Sequence, residues 1–261
     1  IQSVPADLFA GCDKVTTFMS CFTGCSELQS VPAELFKSSG AFTTVTKTAF
    51  NNIFKDCTSL TEVPAGLFDG FTLVTAFNDA FNGCASLTTL PAGLFATNTA
   101  VTSFTNVFKG CTSLKSIPEG VLGGLSKVTS FSGLFAGCTG LEEIGANIIS
   151  GCAACKNISS MFKDCDNLKT VSAEAFAGAP AITNIGSLFE NLRGYFRRDA
   201  ESDDCYQRIR GVGTENGSRR SVQPQSLRHD LRQGVPELRR TDDAARRTVR
   251  RQPESDDLFQ R

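Results

Sequence analysis

Large apolar side chains return along this chain at a fixed interval. Phe22, Phe54, Phe81, Phe108, Phe135, Phe162 and Phe189 are spaced by 27 residues after a first interval that carries five more. Three residues after the first six of them stand Cys25, Cys57, Cys84, Cys111, Cys138 and Cys165. Three further on come Leu28, Leu60, Leu87, Leu114, Leu141 and Leu168. The three intervals from Phe54 to Phe135 also each hold a Pro-led segment and a V-T-x-F stretch. A repeat of this length marks a solenoid, in which each coil buries its apolar face only against its neighbours.

Residues 86 to 111 serve as the type coil. Ser86-Leu87-Thr88-Thr89-Leu90 is short, apolar at its ends and bounded by Pro91, which suits a short strand. Pro91 presets φ for a tight turn or one helical turn through Ala92-Gly93-Leu94-Phe95. Phe104, Phe108 and Cys111 lie at i, i+4 and i+7, the spacing of one helix face, with Ser103 or Thr102 as cap and Gly110 as stop. The expected fold class is therefore α/β: a leucine-rich-repeat-like solenoid of about seven coils over residues 1–189, each with a short strand and a short helix. Such a helix is too short to stand alone in water and must draw its stability from stacking. The coil at residues 138 to 165 is expected to be the weakest, because Gly145 replaces Pro and Cys155 replaces Val. Ile1-Gln2-Ser3-Val4-Pro5 aligns with Leu28-Gln29-Ser30-Val31-Pro32, so the chain is expected to begin inside a repeat, as an uncapped fragment.

Charge divides the chain. All ten lysines precede Phe189 and all sixteen arginines follow it. Fourteen acidic residues against ten lysines make the repeat part mildly acidic, which argues against nucleic acid as its partner. No apolar run is long enough to insert in a membrane.

The combination F-x-G-C-x-S-L-x-x-V-P with V-T-x-F resembles the BspA-like leucine-rich repeats of bacterial surface proteins, over residues 1 to 189. The resemblance implies an extracellular or cell-surface protein that is not an enzyme and that binds a protein or a host or matrix component.

After Phe189 the repeat text disappears, and doublets such as Arg239-Arg240, Asp242-Asp243 and Arg246-Arg247 take its place. The plain reading is a solvated, disordered tail. The genetic code offers a sharper one. When the last two bases of each codon are read with the first base of the next, residues 241 to 260 can encode LTTLPAGLFDGNPKVTTFS, whose first nine letters equal Leu87 to Phe95. His229 to Thr241 can likewise encode TTFARAFQNCGGL. Residues 190–261 are thus expected to be a non-native tail, the product of a frameshift near Phe189 or Glu190.

Candidate chemistry is sparse. The cysteine column could support disulfides, but like cysteines on successive coils point inward in parallel, as small buried hydrophobes. Cys152-Ala153-Ala154-Cys155 is a C-x-x-C without a second pair or a histidine in the repeat part, so core packing is favoured over zinc. Asp164-Cys165-Asp166-Asn167 lacks calcium-loop spacing, and Gly211-Val212-Gly213 lacks a dinucleotide-site context. Asn157-Ile158-Ser159 is a glycosylation sequon by pattern only. His229, the single histidine, lies in the tail and makes no catalytic arrangement. The expectation is no catalytic residue, no cofactor and no metal.

The two residues after each repeat leucine should face outward: Gln29 and Ser30, Thr61 and Glu62, Thr88 and Thr89, Lys115 and Ser116, Glu142 and Glu143, Lys169 and Thr170. Stacked coils would join them into one polar stripe, the candidate binding surface. Two functions compete: a binding module that presents the stripe to a protein, and a stalk or spacer whose repeats only add length.

Overall fold

A computed structural model describes residues 1–37 and 45–192, all within the compact unit Ile1–Asn216. The expected tail, beyond the few residues up to 192, lies outside the described residues. The chain winds as a solenoid. Backbone hydrogen bonds link each coil to the equivalent residues of its neighbours, and three sets of them carry most of the stacking.

The first set follows the segment after each repeat leucine. Thr88 donates its N–H to the Thr61 carbonyl at 3.2 Å, Glu142 to Lys115 at 3.4 Å and Lys169 to Glu142 at 2.9 Å. The second follows the V-T segment. Thr102 donates to Thr75, Thr129 to Thr102, Lys156 to Thr129 and Thr183 to Lys156, each at 2.9 Å. Parallel bridges Ser103–Ser130 and Ser130–Asn157 run alongside. In both sets the donor belongs to the later coil.

The third set replaces the expected helix. No helix occurs among the described residues. In residues 104 to 111, alternate N–H groups leave the coil: Phe104, Asn106, Phe108 and Gly110 donate to the carbonyls of Ser130, Ser132, Leu134 and Ala136 at 3.1, 3.0, 2.9 and 2.8 Å. Only the intervening groups turn back, as Lys109 N–H to Asn106 and Cys111 N–H to Phe108, both at 3.2 Å. Asn106 at φ 58° and Gly110 at φ 73° break any helical run every four residues. The segment is a chain of tight turns. It repeats the i, i+4, i+7 apolar spacing of a helix while its N–H groups stitch coil to coil. Here the donor belongs to the earlier coil, opposite to the other two sets.

Regular strand is equally scarce. Among the described residues only β1 (Glu143–Ile144) and β2 (Thr170–Val171) qualify, pairing in parallel with Glu143 opposite Thr170 and Ile144 opposite Val171. Their location has a chemical cause. Elsewhere Pro64, Pro91 and Pro118 follow the segment and offer no N–H. Gly145 and Ser172 stand at those positions here, and the Ser172 N–H extends the ladder to the Ile144 carbonyl at 2.9 Å. The substitution that marks this coil as irregular in sequence lets it form true strand.

The core is built of stacked columns. Phe22, Phe54, Phe81, Phe108, Phe135, Phe162 and Phe189 form one, with ring centroids 5.3 to 5.9 Å apart and near-parallel planes. Phe18, Phe50, Phe77, Phe104 and Phe131 form a second at 5.6 to 5.9 Å. Phe36, Phe68 and Phe95 form a third. Edge contacts join the columns, as Phe95 meets Phe104 at 4.7 Å and 69°.

Candidate functional site

All twelve stripe residues, Gln29, Ser30, Thr61, Glu62, Thr88, Thr89, Lys115, Ser116, Glu142, Glu143, Lys169 and Thr170, are exposed. Each pair is flanked by buried residues of its own coil, such as Leu87 and Leu90, or Leu141 and Ile144. The pairs stack in register, so the stripe has two columns. The first column is the better fixed. Thr61 Oγ1 donates to the Gln29 carbonyl and Thr88 Oγ1 to the Thr61 carbonyl, both at 3.3 Å. Lys169 Nζ meets Glu142 Oε2 at 2.7 Å. The hydrogen bond from Lys169, its charge and the more distant Lys115 hold the Glu142 carboxyl below its ordinary range. The first column is thus neutral on the earlier coils and charged on the later ones, in the order Lys115, Glu142, Lys169, while the second carries Glu62 and Glu143. The stripe offers hydrogen bonds and charge, without nucleophile or acid–base pairing.

The cysteine column is interior. Cys57, Cys84, Cys111, Cys138 and Cys165 are fully buried and unbridged. Each thiol donates to the carbonyl of the preceding coil's Phe, for example Cys84 to Phe54 at 3.2 Å and Cys138 to Phe108 at 3.1 Å. That carbonyl already accepts the N–H of its own coil's cysteine, so both lone pairs are used. Burial pushes the Cys57 and Cys165 thiols up to about 12, and raises Cys84, Cys111 and Cys138 as well. Cys152 and Cys155 are buried too, and the Cys152 thiol donates to the Leu122 carbonyl at 3.3 Å. No group of three metal-ligating side chains occurs among the described residues. His229 and Gly211-Val212-Gly213 lie outside them.

The sequon is occupied internally: Asn157 Nδ2 donates to Ser130 Oγ at 3.3 Å, and its Oδ1 accepts the Ser159 N–H at 2.9 Å. Asp164 Oδ1 accepts from Asn191 Nδ2 at 2.8 Å, beside a shallow cleft lined also by Gly137, Thr139, Asp166 and Leu192.

Two features escaped the sequence reading. Thr75, Thr102, Thr129 and Thr183 each send Oγ1 to a carbonyl one coil back, at 3.2 or 3.3 Å, so the recurring V-T is a coil-to-coil fastener. Its recurrence was the available signal. Asn98 is a fully buried polar side chain whose Nδ2 donates to the Phe68 and Phe71 carbonyls at 3.0 and 3.2 Å. Its column holds Phe71, Leu125, Cys152 and Ala179 in other coils, so nothing in the repeat announces it.

No protein-family model and no curated protein matches this chain. Among solved structures, it is similar to a leucine-rich repeat protein from Bacteroides ovatus at 18% identity and TM-score 0.36, covering 64% of this chain and 42% of that one. The Toll–Spatzle complex of Drosophila is similar at 15% identity and TM-score 0.35, covering 72% and 31%. A leucine-rich repeat protein of T. pallidum is similar at 18% identity and TM-score 0.22, covering 63% and 76%. The chain thus spans less than half the length of the first two. No helix among the described residues is long and apolar enough to cross a membrane.

Proposed function

We propose that this chain is part of a non-enzymatic, BspA-like leucine-rich repeat protein of a bacterial cell surface, or secreted, that binds a protein or a host or matrix component. The binding surface is the two-column stripe from Gln29 to Thr170. One observation carries the reading: twelve side chains on six successive coils stand exposed in register on one face, held by the backbone ladder beneath them. Solenoids use such extended faces for recognition. The stretch from Lys115 to Lys169 is its charged part. Replacing Glu62, Lys115, Glu142 and Glu143 together by alanine in the full-length parent should abolish attachment to host cells or matrix while leaving thermal unfolding unchanged. Undiminished attachment would count against the stripe.

The spacer reading draws on one feature. The stripe carries Thr, Ser, Gln, Lys and Glu but no aromatic side chain, and tight interfaces centre on aromatic or arginine anchors. The same experiment separates the two, since a spacer tolerates all four replacements. Residues 190–261 we read as the product of a displaced reading frame on a fragment of the parent, outside the selected repeat.

A further inference from the structure

We propose that Cys152 and Cys155 pair as a disulfide when the chain matures in an oxidising setting, closing one turn of the solenoid from inside the core. The inference rests on the surface or secreted location proposed above, where such bonds form and persist.

The backbone already presents the pair. The Cys155 N–H donates to the Cys152 carbonyl at 3.0 Å, closing a tight turn with Ala153 and Ala154 at its tip. The ends of such a turn lie within about 7 Å of each other, and disulfides span Cα separations of about 4.4–6.8 Å. The cysteines do not make this turn. Val74 closes it on Phe71 at 3.3 Å, Val101 on Asn98 at 3.1 Å and Val128 on Leu125 at 3.1 Å. The repeat scaffold therefore sets the two positions at the ends of one turn, whatever residues stand there.

Both side chains enter the core. Cys152 and Cys155 have no exposure, and their counterparts Leu125, Val128, Ala179 and Ile182 are buried as well. The two sulfurs sense each other. Burial first, and the neighbouring Cys155 second, raise the Cys152 thiol to about 12, while burial raises Cys155 to about 11. A bridge of two sulfurs and two β-carbons has fewer atoms than the Leu125 and Val128 side chains one coil earlier, so closing it displaces no neighbour. It does release the Cys152 thiol from the Leu122 carbonyl, 3.3 Å away, which is a weak donor lost. The column cysteines differ. They stand one to a coil, each turned to the preceding coil's Phe carbonyl, as Cys138 to Phe108 at 3.1 Å and Cys165 to Phe135 at 3.2 Å.

The oxidant is a disulfide of the glutathione class. One cysteine thiolate attacks it, expels one thiolate and forms a mixed disulfide. The second cysteine attacks the chain's own sulfur in that bond and expels the other. The two cysteine thiols lose two protons and two electrons, and the reagent disulfide becomes two thiols. Burial opposes the thiolate, so exchange belongs to the open turn during folding, and the closed core then shields the bond.

The test starts from the reduced full chain, refolded in mixed oxidised and reduced glutathione. It is unfolded in denaturant and treated at once with one thiol reagent, then reduced and treated with a second. Fragment mass spectrometry should place the second label on Cys152 and Cys155 in most molecules, and the first on Cys138 and Cys165. The first label on Cys152 and Cys155 would overturn the proposal. Cys155→Val restores the residue that Val101 and Val128 supply to this column, and Cys152 in that chain should take the first label. A second label there would mean another partner, and the pairing would be wrong. Reduction of the bond by dithiothreitol should be about tenfold or more slower in the folded chain than in urea. Equal rates would mean that the core does not enclose it. A bond that forms in this buffer but is missing from protein taken from its source cells would remove the oxidising setting, and the surface reading with it, while the pairing stands.

Discussion

At the residue scale, Asn98 and the cysteines show what a repeat interior tolerates. Asn98 Oδ1 is buried without a partner, while Nδ2 faces two carbonyls. Those carbonyls also receive backbone donors, Phe71 N–H at 3.4 Å and Val74 N–H at 3.3 Å. Asn98→Leu therefore orphans neither and should lie within about 1 kcal/mol of the parent chain in urea unfolding. Asn98→Asp sets a buried carboxylate against two carbonyls and should cost about 3 kcal/mol or more at neutral pH. Equal losses would refute this account of the site. The thiols predict a pH response. Their folded values lie above the ordinary 9.0, near 12 for Cys57 and Cys165. The unfolded chain loses these protons from about pH 9 while the folded chain keeps them. Their contribution is full below that pH and falls as pH rises towards 12, at about 1.4 kcal/mol per pH unit for each thiol. Unfolding free energy measured from pH 8 to 10.5 should fall steeply, and less steeply in a Cys111→Val, Cys138→Val chain. An identical slope in that chain would exclude the column as the source.

At the element scale, the buried set was legible and the backbone was not. Phe104, Phe108 and Cys111 are interior, as their spacing predicts. A turn chain that repeats every four residues has the same apolar spacing as a helix, so periodicity could not separate them. The residues between them could. Ser20, Asn52, Asp79, Asn106, Ser160 and Ser187 share one column and Gly24, Asp56, Gly83, Gly110, Gly137 and Asp164 another, and all take positive φ. Columns of Gly, Asn, Asp and Ser are a turn signature, and a helix interior would not select them. The stripe was legible for a simpler reason: exposure follows from lying between two core residues, whatever the backbone does. The energetic consequence is testable at Asn106, whose φ is 58°. Asn106→Gly should be neutral or slightly stabilising, and Asn106→Val should cost about 1–2 kcal/mol from left-handed strain. A helix would reverse that order, because glycine is the poorer helix former. Chemical denaturation of the two variants therefore discriminates between turn chain and helix.

At the scale of the whole molecule, stability should vary along the solenoid axis. Each coil is held by the coils on either side, so an interior coil loses two interfaces when its core fails and an end coil loses one. The gradient is visible in equivalent positions. Ile1 is 77% exposed and Leu8 42%, whereas Leu28 and Leu35, 27 residues later, are fully buried. Phe108 stacks on Phe81 at 5.6 Å and on Phe135 at 5.5 Å and has no exposure. Phe22 stacks on Phe54 at 5.3 Å and has no counterpart before it in the column. Phe108→Ala removes a ring from between two others and leaves a cavity that the ladders on both sides keep from closing. It should cost about 3–5 kcal/mol and broaden the unfolding transition as the coils before and after it uncouple. Phe22→Ala opens a void at a coil several of whose apolar residues, Ile1, Leu8 and Met19 among them, already meet solvent, so it should cost clearly less and leave the transition sharp. Denaturant titration followed by circular dichroism reads both quantities. Equal losses with equal sharpness would mean that the chain folds as one globular unit, and the one-dimensional picture would have to be abandoned.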